Sequence, residues 1–140
     1  MAYEKTFSII KPDATARHLE DKINDMIRAN GLKIIASKKI NQPTREQIGN
    51  FYAEHKGKPF YDRLVDYMTS GPIVVQVVAG EDAIARYRTL MGDKDPLEAA
   101  EGTIRKIYAE SKTCNSVHGS DSPASAEREI GLWFTPDEIE

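Results

Sequence analysis

Three histidines occur in the chain, His18, His55 and His118, and only His118 stands where a reactive imidazole would be useful. It lies in Asn115-Ser116-Val117-His118-Gly119-Ser120-Asp121-Ser122, ahead of Pro123. A strand end at this junction can aim a side chain while the glycine and small polar residues behind it leave room for a ligand. An imidazole so placed is a candidate general base, nucleophile or metal ligand. The metal option is poorly served, because no second histidine follows at three to five residues and no acidic pair accompanies His118. A nucleophilic histidine needs a partner that fixes its tautomer, and Glu129 is the candidate. On a helix turning about 100° per residue, with Ala126 at zero, Ile130, Trp133 and Phe134 fall between about −20° and 80° and Glu129 at about −60°. The carboxylate thus flanks the apolar stripe and can turn toward His118. Spacing alone leaves the plainer alternatives open, a loop histidine and a solvated helix-edge acid.

A second set of residues suits phosphate. Lys11 closes the first apolar run, Arg88 flanks the Ala83, Tyr87, Leu90 stripe, and Arg105 begins a short helical segment. Guanidinium groups grip phosphate through bidentate charge-assisted hydrogen bonds, and a strand-end lysine acts on it as a point charge. Taken singly, each is also an ordinary solvated cation. Tyr52 and Phe60 offer a hydroxyl and a stacking ring, although aromatic residues at helical spacing read first as core. The chain has no Walker A loop and no GxGxxG, which removes the two commonest glycine-rich phosphate cradles.

The elements that must position these residues follow from periodicity. Tyr3 to Ile10 reads as a buried strand that enters a loop at Lys11-Pro12-Asp13, since proline cannot continue a central ladder. Leu19, Ile23, Met26 and Ile27 make a helical stripe that Asn30-Gly31 ends with a left-handed cap. Leu32 to Ile40 is a second strand, and Lys33, Lys38 and Lys39 give it a wet face or put it at an edge. Thr44 with Gln47 forms a capping box before Ile48, Phe51 and Tyr52. Phe60 to Ser70 resumes helical spacing, and Ile73 to Ala79 is the best central strand. A helix from about Asp82 to Met91 stops at Gly92. The long mixed stretch 92–114 holds a short helix near Ile104 to Tyr108, and loops of this length are often functional. A short strand at Ser116 to His118 precedes a last helix capped by Ser122-Pro123. The order β-α-β-α-α-β-α-β-α predicts an α/β sandwich with a mainly antiparallel sheet, its strand order unread.

With 140 residues, the chain suits one domain with a proper core. Its single cysteine, Cys114, excludes an intrachain disulfide and a cysteine-held metal. A net charge of −3 withholds the basic footprint of a dedicated nucleic-acid binder, and no aromatic interrupts Ile73 to Ala79 to serve as an RNA-stacking platform. No apolar run reaches the length of a membrane span and no secretory layout opens the chain, so a cytoplasmic protein is expected.

Six segments in order, Ser8-Ile9-Ile10-Lys11-Pro12-Asp13-Ala14, Phe51-Tyr52, Lys58-Pro59-Phe60-Tyr61, Met68-Thr69-Ser70-Gly71-Pro72, Gly102-Thr103-Ile104-Arg105 and the run 115–122, resemble the nucleoside diphosphate kinases, from about residue 3 to 134. The resemblance implies a ferredoxin-like α/β sandwich with a four-stranded, mainly antiparallel sheet covered by helices. It implies ping-pong transfer of a γ-phosphoryl group, mainly from ATP, through a phosphohistidine on the δ nitrogen of His118, with Glu129 holding the ring and Ser120 supporting Glu129. Lys11 would meet the transferred phosphate and the ribose, Tyr52 the γ-phosphate, Arg88 and Arg105 the other phosphates, and Asn115 the sugar. Phe60 would stack on the base without reading its edges. Mg²⁺ would arrive on the nucleotide phosphates with few or no protein ligands. Relatives assemble as tetramers or hexamers built from dimers, so a homo-oligomer is expected.

Four departures bear on this. Lys94 stands where the family usually carries a phosphate-contacting threonine, and Lys112 where an aliphatic residue covers the base, a role its methylene stem can share. Asp21-Lys22 replaces a glycine-containing turn, and Cys114 a polar or basic residue before Asn115. None removes a catalytic group. The rival reading is a nucleotide-binding regulatory protein that kept this fold with lost or weak kinase activity, against which the retention of His118 and Glu129 argues.

Overall fold

β1 (Tyr3–Ile10) and β3 (Ile73–Glu81) are the central strands of a four-stranded antiparallel sheet whose order is β2-β3-β1-β4, with β2 (Lys33–Ile40) and the three-residue β4 (Val117–Gly119) at its edges. This is the ferredoxin-like α/β fold. The computed structural model describes residues 3–111 and 114–139. Alternation along the two inner strands feeds two cores. Phe7 and Ile9 of β1 and Val75 and Val77 of β3 pack beneath α3 (Arg45–Phe51), α4 (Tyr61–Met68) and α7 (Pro123–Trp133). Ile10, Val74 and Val78 face α2 (Glu20–Ala29), α5 (Ala83–Met91) and α6 (Ile104–Tyr108). With both faces covered, β3 is buried along nearly its whole length, which is why its sequence is apolar without alternation.

Local chemistry sets the element ends. Gly31 has φ +79° just beyond α2. Thr44 and Gln47 exchange the two bonds of a capping box, at 3.1 and 3.0 Å. Ser122 accepts from the Ser125 N–H at 3.1 Å ahead of Pro123. Lysine-bearing β2 is an edge strand, as its pattern predicts. The loop expected after β1 is instead a short helix, α1 (Pro12–Ala16), because proline at the first helical position has the required φ and lacks only a donor the helix does not use. Among the described residues no helix is long and apolar enough to cross a membrane.

Register places the key residue. His118 pairs with Ile9 across the β1–β4 ladder, so its side chain rises from the α3, α4, α7 face of the sheet. The next residue must be glycine for a steric reason: a Cβ on Gly119 would lie 2.7 Å from both Met91 Cε and Tyr87 Cδ2. Tyr87 cannot swing away, since it is fully buried and its hydroxyl is 2.7 Å from Ser8 Oγ. Gly119→Ala is therefore expected to cost about 1–3 kcal/mol through overpacking. Gly131→Ala, at an α7 position with nothing within 4 Å, is expected to leave stability unchanged or raise it by up to about 1 kcal/mol. Thermal unfolding of the two variants checks the contrast.

Candidate active site

A cleft of about 710 Å³ opens between the α3–α4 connection, the C-terminal end of α5, the segment before β4 and the side of α7. Its floor carries His118 and Glu129. Lys11, Arg105, Asn115, Tyr52 and Phe60 line it with them, as do the exposed Arg88 and Lys94. Ser120 lies behind Glu129, and Lys112 falls outside the described residues. A larger groove of about 990 Å³ on the outer side of α5 has neither histidine nor cysteine in its lining, so size does not select the reactive site.

His118 Nε2 lies 3.0 Å from Glu129 Oε1. Ser120 Oγ donates to the same oxygen at 2.8 Å and accepts from the Phe7 N–H at 3.2 Å. Glu129 is 8% exposed, which corrects the solvated helix-edge alternative: its carboxylate turns inward and is held from the sheet. With a carboxylate on Nε2, the neutral ring carries its proton there and keeps its lone pair on Nδ1. Phe51 meets the imidazole edge-on at 4.9 Å and Phe7 lies 6.3 Å away. Burial against these rings lowers the His118 pKa below its ordinary value; Glu129 opposes the shift, and Lys11 and Arg105 add to it. The imidazole is neutral near pH 7.

Two of the cations, Lys11 and Arg105, are buried. Lys11 is 6% exposed and donates to Asn115 Oδ1 at 2.8 Å. Its pKa falls from 10.5 to about 7, first through burial, then through Arg105 and, more weakly, Lys94, with Asp13 opposing. Arg105 donates to three carbonyls, Val117 at 2.8 Å, Gly92 at 3.0 Å and Asn115 at 3.4 Å. It therefore ties the end of α5 to β4, and a guanidinium has five N–H groups, so donors remain for a ligand. The Tyr52 hydroxyl is buried, and its pKa is raised by desolvation and by Glu129, which keeps it a neutral donor.

Phe60 is not core, contrary to what its helical spacing alone predicts. It is the N-cap of α4, 45% exposed, with Lys58 Nζ 6.0 Å from its ring center. Among the lining residues that the sequence does not assign to the site are His55 and Arg63. His55 sits between Tyr52 and Phe60, ring centroids 6.1 and 5.5 Å away, with a buried Nδ1 that has no partner among the described residues. Arg63 follows Phe60 at helical i+3 spacing and lines the same cleft. That spacing, and Tyr52 to His55, was the available signal.

An imidazole bonded to a carboxylate through Nε2 thus shares a cleft with several cations on a ferredoxin-like sheet, a combination suited to phosphate chemistry. The comparisons carry this further. The family model for nucleoside diphosphate kinase matches residues 4–139. Nucleoside diphosphate kinases of Maricaulis maris and Bradyrhizobium diazoefficiens are 58% and 57% identical over 139 residues, 99% of both chains in each case. The Aquifex aeolicus enzyme superposes with a TM-score of 0.96 at 42% identity, over 99% of this chain and 100% of that one. The Halobacterium salinarum enzyme, solved in complex with CDP, gives 0.94 at 40%, over 99% and 92%. The chain belongs to the nucleoside diphosphate kinase family and is a nucleotide-binding phosphotransferase.

The depressed Lys11 pKa has a measurable consequence. At pH 8 the empty site holds Lys11 largely neutral, and a bound polyphosphate favors the charged form and raises the pKa again. Nucleotide binding at pH 8 is expected to take up close to one proton, measured by calorimetry in two buffers of different ionization enthalpy. Lys11→Met should remove most of that uptake; an unchanged value would exclude Lys11 as its source.

Proposed function

We propose that this protein transfers the γ-phosphoryl group of a nucleoside triphosphate, chiefly ATP, to a nucleoside diphosphate through a phosphohistidine on Nδ1 of His118. The observation that carries the reading is the Nε2 contact with Glu129, which leaves Nδ1 as the nucleophilic nitrogen. The base lies on Phe60, whose ring offers a π face and no edge recognition. Asn115 meets the sugar, and Lys11, Arg88, Arg105 and Lys94 receive the phosphates, with the Tyr52 hydroxyl near the terminal one. Lys112 belongs to the base-covering side. The substrate is the Mg²⁺ nucleotide, its ion held by the phosphate oxygens that the cations of the cleft would also receive. Bound there, the ion shields phosphate charge.

The His118 Nδ1 lone pair attacks the γ-phosphorus as the bond to the bridging oxygen breaks, and the nucleoside diphosphate leaves with that electron pair. The proton stays on Nε2, where Glu129 accepts its hydrogen bond and balances the positive charge on the phosphorylated ring, and Ser120 holds Glu129 in place. A second nucleoside diphosphate then takes the phosphoryl group by the reverse displacement. Cations fixed before the reaction stabilize the charge on the equatorial oxygens of a loose transition state without further reorganization. The CDP bound to the Halobacterium salinarum relative supports a diphosphate acceptor and a site that accepts a pyrimidine.

Incubation with γ-labelled ATP and Mg²⁺, without acceptor, is expected to give an acid-labile, base-stable phosphoprotein that GDP discharges to GTP. His118→Asn should take no label, and Glu129→Gln should slow labelling by about 100-fold through loss of ring orientation. ATP binding without labelling of the wild-type protein would defeat the phosphohistidine mechanism and leave a nucleotide-binding protein.

A further inference from the structure

Behind the cleft lies a buried carboxylate that touches no part of the site. Asp13, in the first turn of α1, is 8% exposed. Its Oδ1 accepts from the Ser116 N–H at 3.3 Å and from the Tyr67 hydroxyl, and its Oδ2 accepts from Ser116 Oγ at 2.9 Å. Arg17 Nη2 stands 3.6 Å from Oδ2. Two of these hydrogen bonds go to one residue, and that residue is strained. Ser116 has φ +70°, and the Val117 N–H donates to the Asn115 carbonyl at 2.8 Å. An i+2 to i bond closed at positive φ is the rare, strained form of γ-turn, unusual for any residue with a Cβ. The Ser116 carbonyl is held from the other side by the Lys11 N–H at 2.8 Å.

The turn sits between two parts of the site. Before it is Asn115, whose Oδ1 accepts from Lys11 Nζ; after it come Val117, whose carbonyl Arg105 grips, and His118. We propose that Asp13 is a positioning residue for phosphoryl transfer: by bonding the amide and hydroxyl of Ser116 it holds the γ-turn that sets Asn115 and the His118 strand in their relative places. The inference rests on the reading of His118 as the phosphoryl acceptor. Strained backbone persists only where its surroundings over-determine it, and here a carboxylate that receives the Ser116 N–H, the Ser116 hydroxyl and the Tyr67 hydroxyl does so. Tyr67 completes the cage, its hydroxyl kept protonated by burial and by the bond to Asp13.

The test separates strain from simple loss of a hydrogen bond. Ser116→Ala and Ser116→Gly both delete the hydroxyl, and only glycine adopts φ +70° at no steric cost. At saturating ATP and below the melting transition, the rate of His118 phosphorylation is expected to fall about tenfold in the alanine variant and to stay within about threefold of wild type in the glycine variant. Asp13→Ala should slow it by roughly 100-fold, a loss typical of misplaced reacting groups, and Ser116→Gly added to Asp13→Ala should recover most of that rate. A purely structural Asp13 would lower the melting temperature and leave the phosphorylation rate of folded protein unchanged. Equal rates for the alanine and glycine variants, or no recovery in the double variant, would overturn the proposal while wild-type labelling still upheld the phosphohistidine. A wild type that takes no label overturns both.

Discussion

The site depends on one buried oxygen. Glu129 Oε1 receives both Ser120 Oγ and His118 Nε2, and through Ser120 it is tied to the Phe7 amide of a central strand. Take that carboxylate away and three things fail together: the ring loses the partner that selects its tautomer, Ser120 loses its acceptor, and α7 loses one of its polar ties toward the sheet. A carboxylate 8% exposed is costly to bury unless donors meet it, so the arrangement works only if the helix phase, the β1–β4 register and the Ser120 rotamer all agree. Ile9 opposite His118 and Ser8 opposite Gly119 show why register cannot slip: a shift by one residue would send the imidazole to the α2, α5 face, away from Glu129.

Against this satisfied network stands an unsatisfied one. Lys11 and Arg105 are each buried to within 8% exposure, and each lowers the affinity of its surroundings for a further proton. Arg105 is held by three carbonyls, with Asp93 acting on its charge, so the guanidinium is fixed in position. A folded state that collects like charges in this way gives up stability, and Lys11 shows the sign. Its folded pKa lies below that of the unfolded chain, so the unfolded chain binds more protons and stability declines as pH falls from about 10 toward about 7. The same field that destabilizes the empty protein favors a polyanion, which is the usual relation between a binding site and the stability it forgoes.

How much of this the sequence discloses depends on the range of the interaction. Signals carried within a few residues are legible: the Thr44 and Gln47 box, Gly31 beyond α2, Ser122-Pro123, and α6 over Ile104–Tyr108 inside the long connection. So is the helical angle of Glu129, because it needs only the phase of α7. What is illegible requires distant partners. Strand order is set by how two crossovers fold back over the sheet. The exposure of Phe60 follows from its place at the end of the α3–α4 connection, whereas its spacing imitates a core residue. Pro12 ends a strand and begins a helix with the same fixed φ, and a single sequence reads the first role more readily than the second. Nothing near Ser116 announces a positive φ, since the carboxylate that sustains it is 103 residues away in the chain.

The cleft is graded in rigidity along its length. At the deep end, His118, Glu129, Ser120 and Asn115 are fixed by side-chain hydrogen bonds to buried partners. At the mouth, Phe60 is half exposed with Lys58 and His55 beside its ring, and Lys94 reaches in from an exposed loop. Phosphoryl transfer is sensitive to fractions of an ångström, and base binding by stacking is not. The proposed reaction, in which donor and acceptor would occupy one site in turn and differ in their bases, calls for this gradient: hydrogen-bonded positioning where every substrate is alike, and an exposed ring face where they differ.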